Sequence, residues 1–349
     1  MPPTGRLAPS PTGLLHLGNA RSLLGAWLSA RSRHGRILLR IEDLLPDMAA
    51  HEAGLLQDLT WLGLDWDAPD PETAGLITLP PQAGFVRQSE RAVLHTQILA
   101  RLQAAGLVYP CVCTRKDIDR AAYAPHADEQ GQTYPGTCRD RFASEAEALD
   151  LETERAHREH RPPLGVALRL RVPAEPVTFQ DALHGPRTVT LPQTCGDLVV
   201  RRKDGGFAYM FAVVADDLDM GVTEVVRGDD LLDATGQQLA VYQALAHAGV
   251  GQPEPFWQRA RTWTPPTWVH LPLVLGDDGR RLAKRNQSVH LRHLREAGVP
   301  ARAVRRWLAE SLGLAGTTEL VEMAERFDLA QVPRGPVRFG ARELAGLVE

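Results

Sequence analysis

Lysine is nearly absent from this sequence. Of 39 basic side chains only Lys116, Lys203 and Lys284 are lysine, and the other 36 are arginine. The two cations differ in geometry, hydration and titration, so each remaining lysine poses a chemical question. Cysteine is scarce too, limited to Cys111, Cys113, Cys138 and Cys195. So few thiols in 349 residues, behind an N-terminus (MPPTGRLAPSPTG) without an apolar segment, exclude a disulfide-stapled secreted scaffold and give no sign of a signal peptide. Long apolar runs are missing. Leu107–Val112 falls far below the roughly 20 residues of a bilayer span, so no membrane association is expected and the cytoplasm is the expected location. Positive net charge is also missing, at −4, which excludes a general basic coat but not a local basic face for nucleic acid. Internal repeats and low-complexity tracts are absent.

The chain is long enough for two or three domains, and 44% hydrophobic with 23% charged residues is ordinary for a globular protein. Thr4–Pro9 reads as a short strand entering a Pro/Gly turn at Pro9–Gly13. A helix is expected from Asn19 to about His34, with Ala20, Leu23, Leu24, Trp27 and Leu28 on its apolar face and Gly35 as the terminating glycine. Arg36–Ile41 is a buried strand candidate that delivers Glu42 and Asp43 at its C-terminal end. Strand, turn, helix, strand opens a doubly wound α/β unit, whose ligands bind at the carboxyl ends of the strands. Residues 50–64 and 89–106 read as helices, and 144–161 as a solvated, heavily charged helix. Between 166 and 232 the runs VALRLRV, DLVVRR, FAYMFAVVADD and VTEVVRGDD read as β-type. A helix at 234–248 follows, and the residues beyond 288 read as mostly helical.

Two segments carry the strongest chemical signal: APSPTGLLHLGN (Ala8–Asn19) and GRRLAKRN (Gly279–Asn286). His16-Leu17-Gly18-Asn19 sits where a turn enters a helix, so backbone N–H groups and the helix N-terminus face any bound phosphate. Gly18 leaves room for a flat ring against the backbone, and His16 can donate to phosphate oxygens. Cys111-x-Cys113 and Cys138 place three thiols close together, a reasonable zinc site, with His126 a good nitrogen donor nearby by ordinary zinc chemistry. Cys195 stands apart as a core residue, and Lys116 and Lys203 are surface candidates.

Together these segments resemble the class I aminoacyl-tRNA synthetases, specifically the glutamyl branch. HLGN matches that class's first ATP signature and RLAKR its second. RLAPSPTGLLHLG, ILLRIED and FAYMFAVVADD…VVRGDD are similar to glutamyl-type enzymes in the same order, over about residues 4–300. The resemblance implies a Rossmann-type parallel-sheet catalytic domain in two halves, 1–105 and 191–262. It also implies an inserted zinc-bearing α+β subdomain at 106–190 and a signature-loop and helical stem region at 263–349. It implies a glutamate site at Arg6, Ser10, Glu42, Tyr209 and Arg227. It places ATP, with Mg²⁺, on His16, Gly18, Asn19, Asp230 and Lys284, and makes His16, Gly18 and Lys284 the catalytic set. The chemistry agrees: a ligand with two carboxylates and one ammonium needs guanidinium forks from Arg6 and Arg227 and an acidic partner, Glu42. Ser10 and Tyr209 add hydroxyls.

The same resemblance implies a structural zinc on Cys111, Cys113, Cys138 and, in a Y-x₃-C arrangement, Tyr134, with His126 the rival fourth ligand. Ala283 departs from the family's usual serine, which puts the ordering of the second signature loop in doubt but not its charge. Only 61 residues follow Ser288, too few for the anticodon-reading domains of the longer enzymes. That feature resembles the short family members that activate glutamate without tRNA and pass it to queuosine in the anticodon of tRNA(Asp). The alternatives are a shortened enzyme charging the tRNA 3′ end and an inactive RNA-binding paralogue. Between Arg280 and Arg306 eight arginines and one lysine face a single acid, Glu296, which suggests an RNA-facing patch. A monomer is expected.

Overall fold

The computed structural model describes residues 1–45, 48–69, 84–121, 133–282 and 289–348. Its first unit is β1 (Thr4–Leu7), α1 (Leu17–Arg31) and β2 (Arg36–Ile41), with β1 and β2 parallel in the register Arg6↔Leu38. His16 caps α1 reciprocally: its Nδ1 accepts from Asn19 N at 3.3 Å, while its own N–H reaches Asn19 Oδ1 at 3.3 Å. Such a pairing satisfies two of the donors that a helix start leaves open. The far end differs from expectation. The helix closes at Arg31 with Ser32 as cap, and His34, not Gly35, takes the left-handed backbone (φ 53°). Gly35 is needed for a different reason, since a Cβ there would run into the carbonyl oxygen of Pro3 beside β1.

The chain continues through α2 (Ala49–Leu62), β3 (Val86–Arg87) parallel to β2, and α3 (Ala92–Ala104). It then passes through β4 (Val108–Cys111), α4 (Arg115–Ala121) and α5 (Glu145–Arg158). Helix α5 is mostly solvated, as its charge suggests, and buries Ala148, Glu152 and Ala156, a stripe four residues apart. An antiparallel sheet, β4-β5-β8, joins β5 (Ala167–Leu170) and β8 (Leu198–Arg201) to this part. Between them come β6 (Val177–Asp181) and β7 (Gly185–Val189), two strands of a four-stranded sheet, and the short α6 (Leu191–Thr194).

Tyr209–Asp219 is a helix, α7, where the run FAYMFAVVADD suggested β structure. Phe211 through Ala215 are wholly buried, so no polar face marks the helical period. A short apolar run buried on all sides cannot be told from a strand by periodicity. Next come β9 (Glu224–Gly228), α8 (Ala234–Ala248), α9 (Pro255–Thr262) and β10 (Thr267–Leu271). Strand β10 lies between β9 and β6, parallel to both, and β7 pairs antiparallel on the outer side of β6. Strand β9 runs beside β1, where Thr223 N donates to Thr4 O at 2.9 Å. The sheets β1-β2-β3 and β7-β6-β10-β9 therefore lie edge to edge, and α1 packs against strands of both. The chain ends in β11 (Val274–Leu275), α10 (Leu291–Glu296), α11 (Ala301–Ser311), α12 (Leu320–Arg326), β12 (Val337–Arg338) and α13 (Ala341–Val348). Among the described residues no helix is long and apolar enough to cross a membrane.

Replacing Gly35 with alanine forces the Pro3 segment to move, with an expected loss of about 1–3 kcal/mol. Thermal or urea unfolding measures this, and an unchanged midpoint would mean that the segment gives way freely.

Candidate active site

At the carboxyl ends of β1, β2 and β9 lies a cavity of about 630 Å³. Arg6, Ser10, His16, Gly18, Asn19, Glu42, Tyr209, Arg227 and Asp230 all line it. Residues from 6 to 230 thus converge because parallel strands release their loops at one edge.

One end is built around α1. The His16 cap uses Nδ1 as acceptor, so the ring proton lies on Nε2. A Cβ on Gly18 would sit 3.0 Å from the His16 ring, so glycine here keeps the imidazole in place. At Gly228 a Cβ would lie 2.6 Å from Asp230 Oδ1, and that carboxylate pairs with Arg281 at 2.7 Å. Leu17 N and Leu291 N bond to Val289 O and Leu15 O, which seats residues 289–291 against the HLGN turn. Arg281 and Leu282 line the cavity from the other side. Ala283, Lys284 and Asn286 of the second signature lie outside the described residues.

The other end holds a buried ionic network. Glu42 accepts from Ser10 Oγ at 3.2 Å and from Arg40 Nη2 at 3.1 Å. Arg40, fully buried in β2, also grips Asp217 of α7 at 2.6 Å. Burial works against the Arg40 charge, but Asp217 and Glu42 outweigh it and hold the guanidinium protonated. Burial likewise pushes the Glu42 carboxyl up, against the pull of Arg40 and Arg6. Arg6 donates to Val226 O at 3.1 Å and lies 3.7 Å from Asp217. Burial also raises the Tyr209 phenol, so it stays a donor at neutral pH.

Arg227 is held differently. Its Nε donates to His270 Nε2 (2.9 Å), Nη1 to Gln238 Oε1 (3.0 Å), and Nη2 to Thr235 Oγ1 (2.9 Å) and Leu231 O (3.1 Å). Four of its five donors are taken, so a two-pronged grip on a ligand would require one of these bonds to break. All four acceptors are neutral, and among the described residues no carboxylate pairs with it. Burial, with Arg6 nearby, brings its pKa down to about 10. Arg21, also on the cavity wall, has neutral partners too: Pro272 O at 2.6 Å, Ser311 O at 3.0 Å and Ser311 Oγ at 3.1 Å.

A separate cluster gathers the Sγ atoms of Cys111, Cys113 and Cys138 within 4.8 Å of one another. Cys113 and Cys138 are 3.5 Å apart, and Tyr134 Oη lies 3.5 Å from Cys111 Sγ. Tetrahedral zinc with bonds of about 2.3 Å to sulfur needs ligand separations of roughly this size, so the donor set fits that ion. Hydrogen bonds from Cys113 and Cys138, with help from the Arg169 guanidinium, hold the Cys111 thiol well below its ordinary range. Arg169 stacks on the Tyr134 ring at 3.6 Å and donates to Cys111 Sγ at 3.3 Å. His126 lies outside the described residues. Lys203, expected at the surface, instead reaches inward and donates to Val112 O at 2.7 Å between two of the cysteines. Its pKa is lowered, by burial above all. Lys116 is exposed, and Cys195 is half-buried against the core.

Arg40, Asp217, Arg21, His270 and Gln238 escaped the sequence reading. A charge inside an otherwise apolar run, as in RILLRI and FAYMFAVVADD, was the signal available for Arg40 and Asp217. The basic patch is thinner than its composition suggested. Arg292 and Arg295 pair with Glu296 and Asp58, and Arg305 bonds to Thr318 O and Leu62 O.

The family model described as tRNA synthetases class I (E and Q), catalytic domain, matches residues 4–336. The chain is 45% identical over 312 residues to a Glutamyl-Q tRNA(Asp) synthetase of Nitratidesulfovibrio vulgaris, covering 89% of this chain and 86% of that protein. It is 43% identical over 351 residues to the protein of that name from Symbiobacterium thermophilum, with 98% of each covered. It is 38% identical to Glutamate--tRNA ligase 2 of Alkalilimnicola ehrlichii, spanning 97% of this chain but 66% of that one. A solved glutamate tRNA ligase from Elizabethkingia meningosepticum shares the fold, with a TM-score of 0.70 at 24% identity over 98% of this chain and 68% of that one. A parallel-sheet cavity with these two ends, and a match along nearly the whole length, put the chain in the glutamate and glutamine branch of the class I tRNA synthetases.

Proposed function

We propose that the protein joins glutamate to AMP and then passes the glutamyl group to queuosine in the anticodon of tRNA(Asp). In the first step the glutamate α-carboxylate attacks the α-phosphorus of ATP, a new C–O–P link forms, and the bond to pyrophosphate breaks. In the second, a queuosine hydroxyl attacks the glutamyl carbonyl and AMP leaves. The carboxylate is already ionised at neutral pH, so the first step needs placement and charge neutralisation rather than a base. Arg6 and the remaining donor of Arg227 suit the glutamate carboxylates, and Glu42 suits its ammonium. His16 Nε2–H and the start of α1 suit phosphate oxygens, with Mg²⁺ supplying charge neutralisation when ATP is bound. Asn19 and Asp230 complete the ATP side.

The carrying observation is the cavity itself, whose wall holds both the buried Arg227 guanidinium, paired with no carboxylate among the described residues, and Glu42, a carboxylate held by Arg40. The choice of queuosine over the 3′ end is supported by the two relatives of 43–45% identity that carry that name. Glutamate-dependent ATP–pyrophosphate exchange in the absence of tRNA is expected, and its absence with every amino acid would end the proposal. Labelled glutamate should map to the anticodon-stem fragment of queuosine-containing tRNA(Asp) after nuclease cleavage. Label in the 3′ fragment would favour the charging reaction instead.

Arg227→Lys should raise the glutamate KM about ten- to a hundredfold, the worth of a charge-assisted hydrogen bond, with the ATP KM little changed. Lys284 is proposed to follow the departing pyrophosphate, so Lys284→Arg should lose most exchange activity while melting as the wild type does. Unchanged exchange would remove lysine from the step.

We infer a structural zinc on Cys111, Cys113, Tyr134 and Cys138, with no position open for substrate. Metal analysis should give one zinc per chain. Cys138→Ala should lose that zinc and melt earlier, and full zinc retention would overturn the ligand set.

A further inference from the structure

Behind Arg227 a line of side chains runs away from the cavity. His270 and Asp181 are both fully buried, on the adjacent strands β10 and β6. Arg227 Nε meets His270 Nε2 at 2.9 Å, and His270 Nδ1 meets Asp181 Oδ2 at 2.7 Å. A ring nitrogen that accepts from a guanidinium carries no proton, so the single imidazole proton lies on Nδ1 and goes to Asp181. Burial keeps the ring neutral by lowering its pKa, even with Asp181 opposing. The other Asp181 oxygen, Oδ1, accepts from the backbone N–H groups of Leu183 and His184 at 2.9 Å each. Every bond direction in the line follows from the one before it. The other tautomer would set His270 Nε2–H against Arg227 Nε–H, donor facing donor, with only Thr235 Oγ1, 3.3 Å away, as an alternative acceptor.

A neutral anchor has a consequence for charge. Arg40 and Arg91 answer to carboxylates of α7, and a guanidinium so paired has little attraction left for a ligand. Arg227, held by an imidazole, an amide, a hydroxyl and a carbonyl, is paired with no carboxylate among the described residues and keeps its charge for the cavity wall.

We propose that Asp181 and His270 are positioning residues for substrate glutamate: Asp181 selects the His270 tautomer whose bare Nε2 fixes the Arg227 guanidinium, leaving that charge for the substrate carboxylate. This rests on the reading of Arg227 as a glutamate ligand.

Asp181→Asn is the informative substitution, because it keeps size and removes one acceptor. The Leu183 and His184 N–H groups take the amide oxygen, which turns the amide NH₂ toward His270 Nδ1. The imidazole must then accept at Nδ1 and carry its proton on Nε2, against Arg227. With Asp181 in place, glutamine at 270 has no tautomers and can give its oxygen to Arg227 and its NH₂ to Asp181. In glutamate-dependent ATP–pyrophosphate exchange, Asp181→Asn should raise the glutamate KM about tenfold or more, with the ATP KM and kcat nearly unchanged. The variant His270→Gln, which keeps Asp181 and both bond directions, should lose far less, within a few-fold of the wild-type glutamate KM. Melting curves of both variants verify the fold.

A wild-type glutamate KM in Asp181→Asn would overturn the proposal. So would a His270→Gln variant as impaired as Asp181→Asn, or equal losses in the glutamate and ATP KM values, which mark a merely structural role. Arg227→Lys in the same assay separates the two readings. If it leaves the glutamate KM unchanged, the glutamate site itself is misassigned. If it raises KM while Asp181→Asn does not, only the positioning role fails.

Discussion

Arg40 sets the charge arrangement on which the cavity depends. A guanidinium with no exposure sits between Asp217 on α7 and Glu42 at the end of β2, with bonds of 2.6 and 3.1 Å. Two charges taken out of water survive only when they are paired and hydrogen-bonded, and breaking such a pair costs about 3–5 kcal/mol. Arg40 therefore locks helix α7 to strand β2. It also counters the burial that pushes the Glu42 carboxyl toward its neutral form. The ammonium partner proposed for glutamate is thus a product of a residue that does not line the cavity.

The cations around this site fall into two kinds. Arg40 and Arg91 are compensated by Asp217, Glu42, Asp216 and Asp219. Arg227 and Arg21 are held by neutral acceptors, and burial brings each down to about 10. Still charged at neutral pH, they leave positive potential on the wall where carboxylate and phosphate groups are proposed to bind. The first kind builds the framework and the second is available to a ligand. Sequence does not separate them, because an arginine's partner is fixed by what the fold brings next to it.

Much of the framework was legible. The HLGN turn, the helix behind it and the strand at Arg36–Ile41 follow from apolar spacing, capping residues and a charge placed after a buried run. The nine described residues proposed for glutamate and ATP converge on one cavity, and the three cysteines with Tyr134 form one cluster. Other features were misread for physical reasons. FAYMFAVVADD is a helix whose burial on all sides erased its period. Gly35 answers to Pro3 across space rather than to helix termination. Lys203 turns inward because Val112 O and Glu152 await it there.

By itself the sequence determined the family, the doubly wound start of the fold and the chemical types in the cavity. Those depend on local spacing and on residue identity, and both are written along the chain. Tertiary structure alone decided which arginines are spent on internal partners, how His270 is protonated, and that Arg227 keeps one donor rather than a fork. The bonds of Arg40 to Asp217, Arg227 to His270 and His270 to Asp181 join residues 43 to 177 positions apart, and even the nearer Arg227 partners, Leu231, Thr235 and Gln238, meet it only once β9 and α8 are packed. Hydrogen-bond direction and desolvation depend on such neighbours, and no local pattern specifies them.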